Sequence, residues 1–437
     1  MLLTRPRCGL ALALASLLTL ATASHAQHAG HDMTGMQMDS ASQPAAHVMA
    51  QAIPLLTRAD PGAGGVRSTQ LALTQLLLMA RLGFWQNRGE LNAALNGEGL
   101  TMPNGELNTG AFGEGFVDRR HPHTYIHELM LSGRGSIGTL AYSASAGRGF
   151  APFGTDDPMM RPFVKFPINH HLSQILERAA LIGAIRLGPA IVEGATFGGD
   201  EPTHPSSLPR ASRFGDSWST RATVLPARGT EIQASYARVA SPEEPSGAGL
   251  DQRKQSVSAR AISQDGAQYL LAEWARTVEH DHTTNRDAFA YETSLVEGAL
   301  RAGAFGVALR LEQSERPEED RLADPFRTPR PSTDLSINGI TRWRVASLQL
   351  AAPSVTDGVF SGYPFVEIAH LDAATRDSRS LFTPERLYGT SRFWMLTVGV
   401  RLRAGDAHPR MGRYAVASVA GPAIGTVTGA SSQTHVH

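Results

Sequence analysis

The chain has 437 residues, 40 basic and 40 acidic side chains and so no formal net charge. That neutrality removes the electrostatic attraction on which nucleic-acid binding depends. The single cysteine, Cys8, excludes a disulfide framework and a thiolate metal cluster. Lys165 and Lys254 are the only lysines, so the positive charge is almost all guanidinium, which pairs with carboxylates and attracts anions.

Arg5 and Arg7 precede an apolar run over residues 10–23, and Ser24-His25-Ala26 is a small-x-small cleavage signal. Residues 1–26 read as a secretory signal peptide. The run is short for a transmembrane helix, and Cys8 would leave with it.

Residues 27–65 lack a hydrophobic period and are expected to form a disordered leader. It holds His28, His31, Met33, Met36, Met38, His47 and Met49, thioether and imidazole groups that suit copper. A polar leader with no ligand role is the alternative. The strings His28-Ala29-Gly30-His31-Asp32-Met33 and Met36-Gln37-Met38 resemble the His/Met-rich leaders of periplasmic copper-handling proteins. These include the copper resistance protein B family, itself an outer-membrane barrel. The resemblance implies copper as the bound ion; no other cofactor is expected.

Residues 66–405 repeat a hairpin. Tight turns are expected at Arg134-Gly135, Gly188-Pro189, Arg228-Gly229, Asp265-Gly266 and Ala302-Gly303. Long polar segments separate the hairpins, at 150–169, 199–215, 241–250, 280–287, 316–333 and 376–390. No stretch of about 18 apolar residues occurs, so a membrane-spanning chain of this kind must close into a barrel to satisfy its backbone. Short turns at one end and long loops at the other predict an all-β, transmembrane antiparallel barrel of about 14 strands (roughly 12–16) in the bacterial outer membrane. The earliest strands are expected at 71–85 and 90–100. Their short link at 87–89 falls at the wrong end if both belong, so either the first is not a barrel strand or one more lies within 101–120.

Within strands the apolar residues alternate with polar ones. Val307, Leu309 and Leu311 oppose Ala308, Arg310 and Glu312; Trp394, Leu396, Val398 and Leu402 oppose Thr397, Arg401 and Arg403. In a soluble sandwich the apolar face would be the core; in a barrel it faces lipid. Trp218, Trp274, Trp343, Phe393 and Trp394 are the girdle candidates. The polar face would line the lumen with Arg260, Arg310, Glu312, Arg401 and Arg403, favour anions, and tolerate an arginine at Thr397.

The cluster 118–128 holds His123 and His127. Pro122 breaks a zinc-protease reading, and a loop-to-strand junction at the mouth is expected, with Tyr125 and His127 on one face and Ile126 and Glu128 on the other. Residues 150–173 are rich in proline and aromatics, and such a segment folds into a lumen as a constriction or packs as a rigid outer loop. Asp156, Asp157, Arg161, His170 and His171 would line that constriction. The string Gly154 to Pro162, with Asn169-His170-His171-Leu172, resembles a segment of uncharacterised bacterial outer-membrane proteins and implies no activity. Asn169, a histidine and Ser173 supply the residue types of a barrel hydrolase, but no nucleophile elbow is present, so no catalytic residue is assigned. Residues 406–437 form a tail after the last strand.

The expected function is a porin-like barrel that passes or handles small solutes, with a link to copper homeostasis. Its partners would be outer-membrane lipid and small solutes or metal ions, not nucleic acid. The alternatives are a non-conducting, copper-sequestering barrel and an outer-membrane hydrolase.

Overall fold

The computed structural model describes residues 46–60, 69–101, 123–155, 157–319, 337–376, 383–405 and 410–418. Its strands are β1 (Ala46–Asp60), β2 (Thr69–Phe84), β3 (Gly89–Asn96), β4 (Ile126–Ile137), β5 (Leu140–Gly149) and β6 (Arg178–Leu187). There follow β7 (Ala190–Phe197), β8 (Ser217–Ala227), β9 (Thr230–Val239), β10 (Asp251–Ile262), β11 (Gln268–Asp281) and β12 (Arg286–Ala302). The last are β13 (Phe305–Glu319), β14 (Ile337–Ala351), β15 (Val355–Asp357), β16 (Phe360–Thr375) and β17 (Arg392–Gly405). β15 is a three-residue stub paired only with β16. The other 16 each pair antiparallel with the next, β14 pairs with β16, and β17 pairs back to β1. The sheet is therefore a closed barrel without an edge, and every ladder group has a partner, as lipid requires.

The 16 wall strands exceed the expected 14 by two, β1 and β2, and β1 is what makes the place of β2 consistent. Residues 46–60 fall within the segment expected as a disordered leader, whose ligand types His47 and Met49 continue. Yet residues 53–59 alternate buried and exposed through a full strand. With β1 in place the parity resolves. Both ends of the wall, the start of β1 and the end of β17, lie at the short-turn end, and the β2–β3 turn lies there too. The further strand precedes residue 71, and residues 102–120 lie outside the described residues.

The tight turns at Gly188, Gly229 and Gly266 fall where expected, each glycine with positive φ. The first hairpin turns at Gly138, not at Arg134-Gly135, which stay inside β4.

Outward side chains form an apolar band. Leu309, Leu311, Leu350, Ile368, Leu396, Val398 and Leu402 are all exposed. Trp85, Phe305 and Phe360 stand beside the short turns, and Trp218 and Trp394 lie toward the long loops, as interfacial girdles do. Trp343 and Phe393 do not belong to the girdle. Both are fully buried and stack inside the barrel with ring centroids 6.0 Å apart. No helix among the described residues is long and apolar enough to cross a membrane.

Candidate functional site

The candidate site is the lumen, and its wall is built from cross-strand ion pairs. Arg221 on β8 sits directly opposite Glu193 on β7, with two hydrogen bonds of 2.7 and 2.8 Å. Arg260 opposes Glu231 at 3.2 Å, and Arg310 opposes Glu297 at 2.6 Å. Arg81 meets Glu90 diagonally at 2.6 Å. Opposite residues on one face of an antiparallel pair have neighbouring Cβ atoms, so an inward arginine and glutamate meet without any loop to bring them together.

Loop 150–177, between β5 and β6, enters the lumen and crosses to the far wall. Asp157 caps a 3-10 turn, Pro158–Met160, through Met159 N–H. Thr155 bonds Glu273 on β11, and Arg161 pairs with the same carboxylate at 3.2 Å. The next residues form no regular structure, so their backbone groups need other partners. Wall side chains supply them. Arg401 donates to the carbonyls of Arg161 and Pro162, Gln349 to that of Pro162, and Arg310 to that of Lys165. Glu367 and Glu312 accept from the amides of Val164 and Ile168. Apolar contacts complete the seat. Phe163 packs with Ile262, Tyr269, Leu271 and Leu295, and the Arg310 guanidinium lies 4.5 Å from its ring centre. Val164 and Ile168 join the cluster around Trp343 and Phe365. Burial pulls the Lys165 ammonium down to about 8, with Arg310 and Arg316 adding to it and Glu312 and Glu367 opposing.

The tail after β17 also enters the lumen. Residues 411–417 are buried against the β3–β9 side. Its tip, Gly412, has φ +68°, and a Cβ there would lie 2.8 Å from Phe150. Tyr414 OH accepts from Phe150 N–H, which joins the two inserted segments.

A carboxylate–imidazole network closes the mouth. His123 Nδ1 lies 2.8 Å from Glu98, which also accepts from Thr74 and the amide of Gln75. His127 Nδ1 lies 2.6 Å from Glu177. Burial raises Glu98, but the His123 bond and charge outweigh it and hold it at about 2. Burial alone would lower His123; the Glu98 bond and charge raise it to about 9, so the ring is an imidazolium at neutral pH and donates. Glu177 is lowered in the same way by His127 against burial. A register shift between Ala94 and Leu95 leaves His127 in a bulge of β4, so His127 and Glu128 are both buried inside. Strict alternation had put them on opposite faces. Beside this network a small recess lies among His171, Gln174, Arg178, Glu201 and Lys254.

The predicted lumen residues are inside, but most are partnered rather than free to face solute. Arg260 and Arg310 are neutralised by Glu231 and Glu297, and Arg401 holds loop carbonyls. Arg403 donates to Gln51 at 2.9 Å, and Glu312 also accepts from Ser314. Asp157 accepts from Gln174 as well as capping its own turn. His170 lies between Phe166 and His123, and the His171 carbonyl accepts from Lys254. Asp156 lies outside the described residues, as do Arg119, Arg120 and the metal candidates His28, His31, Met33, Met36 and Met38. His47 and Met49 do not belong to a leader. They sit in β1, and Met49 is buried with Met79, Phe150 and Met411. Among the described residues no group of three or more His, Cys, Asp or Glu could hold a metal. Ser173 Oγ donates to the carbonyl of His170, not to an imidazole, and Asn169 donates to the carbonyl of Glu315, so no hydrolase triad assembles there. Sequence reading missed Glu193, Glu231, Glu297 and Glu367; only strand register reveals them as partners.

A closed, even-stranded barrel with an apolar outer band, a charged interior and unequal ends is a bacterial outer-membrane barrel of porin-like architecture. The sequence matches no protein-family model and no curated protein. Among solved structures, the chain is similar to an anion-selective porin from Comamonas acidovorans, with 10% identity and a TM-score of 0.49 over 83% of this chain and 99% of that one. It is also similar to OmpT, an outer membrane protein of Vibrio cholerae, in vitro folded as a trimer, with 8% identity and a TM-score of 0.46 over 83% and 99%. A third is OccK3 (OpdO) of Pseudomonas aeruginosa, with 9% identity and a TM-score of 0.37 over 82% and 96%.

Proposed function

We propose that this barrel passes small polar solutes across the outer membrane through a lumen narrowed by loop 150–177. The observation that supports it is the seat of that loop: its backbone is held across the lumen by Arg310, Arg401, Glu312 and Glu367. Buried ion pairs add little net stability compared with apolar packing. A barrel built for stability alone would have an apolar interior, whereas a polar interior suits a barrel that passes solutes where loop 150–177 leaves the lumen unfilled. Because Arg260 and Arg310 already face glutamates, anion selectivity is weaker than the arginine count alone would give. The test is single-channel conductance in a planar bilayer. The intact barrel should show small openings, and removal of residues 157–168 should raise the conductance several-fold. Absence of current in both proteins, each shown to be folded, would end the channel reading.

A second reading concerns copper. The sequence cluster His28, His31, Met33, Met36 and Met38 supports Cu(I) or Cu(II) binding ahead of the barrel. Copper titration of a peptide covering residues 27–45 tests it.

A further inference from the structure

The inserted segment 410–418 is held by apolar packing of Met411, Tyr414, Val416 and Ala417 and, through its cations and its backbone, by carboxylates from four separate strands. Glu231 on β9 holds the guanidinium of Arg410. Glu193 on β7 lies 3.3 Å from Nη1 of Arg413, whose Nη2 donates to Gln233 Oε1 at 2.6 Å. Glu128 on β4 accepts the amide of Gly412 at 3.2 Å, and Glu90 on β3 accepts that of Ala415 at 3.3 Å. Arg221 donates to the Gly412 carbonyl at 3.0 Å. These wall groups do not balance by themselves. Arg81, Arg221 and Arg260 answer Glu90, Glu193 and Glu231, and Glu128 has no arginine opposite; the tail adds two guanidinium groups.

We infer that this side of the lumen is a carboxylate-bearing cleft for an arginine-bearing, peptide-like solute, and that segment 410–418 occupies it as a displaceable plug. Guanidinium groups meet carboxylates and amides with fixed geometry, which a simple inorganic cation cannot reproduce. Residues 410–418 make no strand ladder with the wall, and their polar hold is dispersed over single side-chain bonds that a competing peptide can take over one at a time. β17 ends at the short-turn end, so the tail enters and leaves from that side without disturbing the wall.

The route through the barrel rests on the channel reading, but the cleft is tested by binding. A chain ending at Gly405 keeps every strand and lacks the plug. A fluorescent synthetic peptide with the sequence Arg410–Ser418 should bind this barrel and not the intact one. Replacing the peptide's arginine at the 413 position by norleucine should weaken binding about tenfold, the usual loss for a charge-assisted hydrogen bond. If the shortened chain does not fold, the full chain carrying Arg410→Glu and Arg413→Glu decides, because repulsion from Glu231 and Glu193 should free the cleft and restore peptide binding. No binding by a folded, tail-free or tail-repelled barrel overturns the inference, as does equal binding of the norleucine peptide. Binding without any current would leave the cleft standing and remove the channel reading instead.

Discussion

Glu297→Ala should destabilise the barrel by about 3–5 kcal/mol, the usual cost of leaving one member of a buried ion pair alone. Glu297 and Arg310 are both fully buried, 2.6 Å apart. Without the carboxylate, the guanidinium would keep its bond to the Lys165 carbonyl and its contact with Phe163, but neither neutralises it. A urea titration in lipid vesicles measures the change. Pairing Glu297→Leu with Arg310→Met should recover most of the loss, because an apolar pair of similar volume avoids desolvation altogether. Equal stability of Glu297→Ala and the intact protein would mean that water reaches Arg310 and that loop 150–177 does not cover it.

Val398→Arg should cost about 2–4 kcal/mol, the penalty for arginine at the midplane of an outer-membrane strand. Val398 lies midway along β17, and its cross-strand partners Leu56 and Val366 are equally exposed on the outer face. Val398→Leu should be close to neutral. Arginine at Thr397 should be costly for another reason. Thr397 is buried and lies 2.9 Å from the Thr57 hydroxyl, so a long side chain overpacks the interior. The expectation of an open, tolerant lumen at that position does not survive the packing.

Much of the wall was legible as period-two alternation, because a strand with one face to lipid and one inward writes its exposure into every second residue. β13 and β17 are the clearest cases. β1 was hidden because it follows the leader directly and its first residues, His47 and Met49, continue the leader's His/Met pattern. The inward position of Trp343 could not be read from composition, since an aromatic suits a girdle and a core equally well. The bulge at His127 was invisible because it depends on pairing with β3. Proline and aromatic content did reveal that residues 150–173 are no ordinary surface loop. The carboxylates that hold it, Glu273, Glu312 and Glu367, lie more than 100 residues away in sequence, and only closure of the barrel brings them opposite. The tail gave no signal at all: Arg410 and Arg413 stand in an Ala/Gly-rich stretch with no strand pattern, and their partners come from the far half of the sheet.

The occupied lumen is tested most directly by cysteine accessibility in a chain starting at Gln27, which carries no natural cysteine. Val164 lies at the centre of the inserted loop, fully buried against the wall, whereas Leu208 is 73% exposed in the loop between β7 and β8. With Val164→Cys and Leu208→Cys made separately, a bulky, membrane-impermeant maleimide should label position 208 rapidly in the folded barrel. It should leave position 164 unmodified until the protein is denatured. Labelling of both positions at the same rate in folded protein would place loop 150–177 outside the lumen and contradict the account.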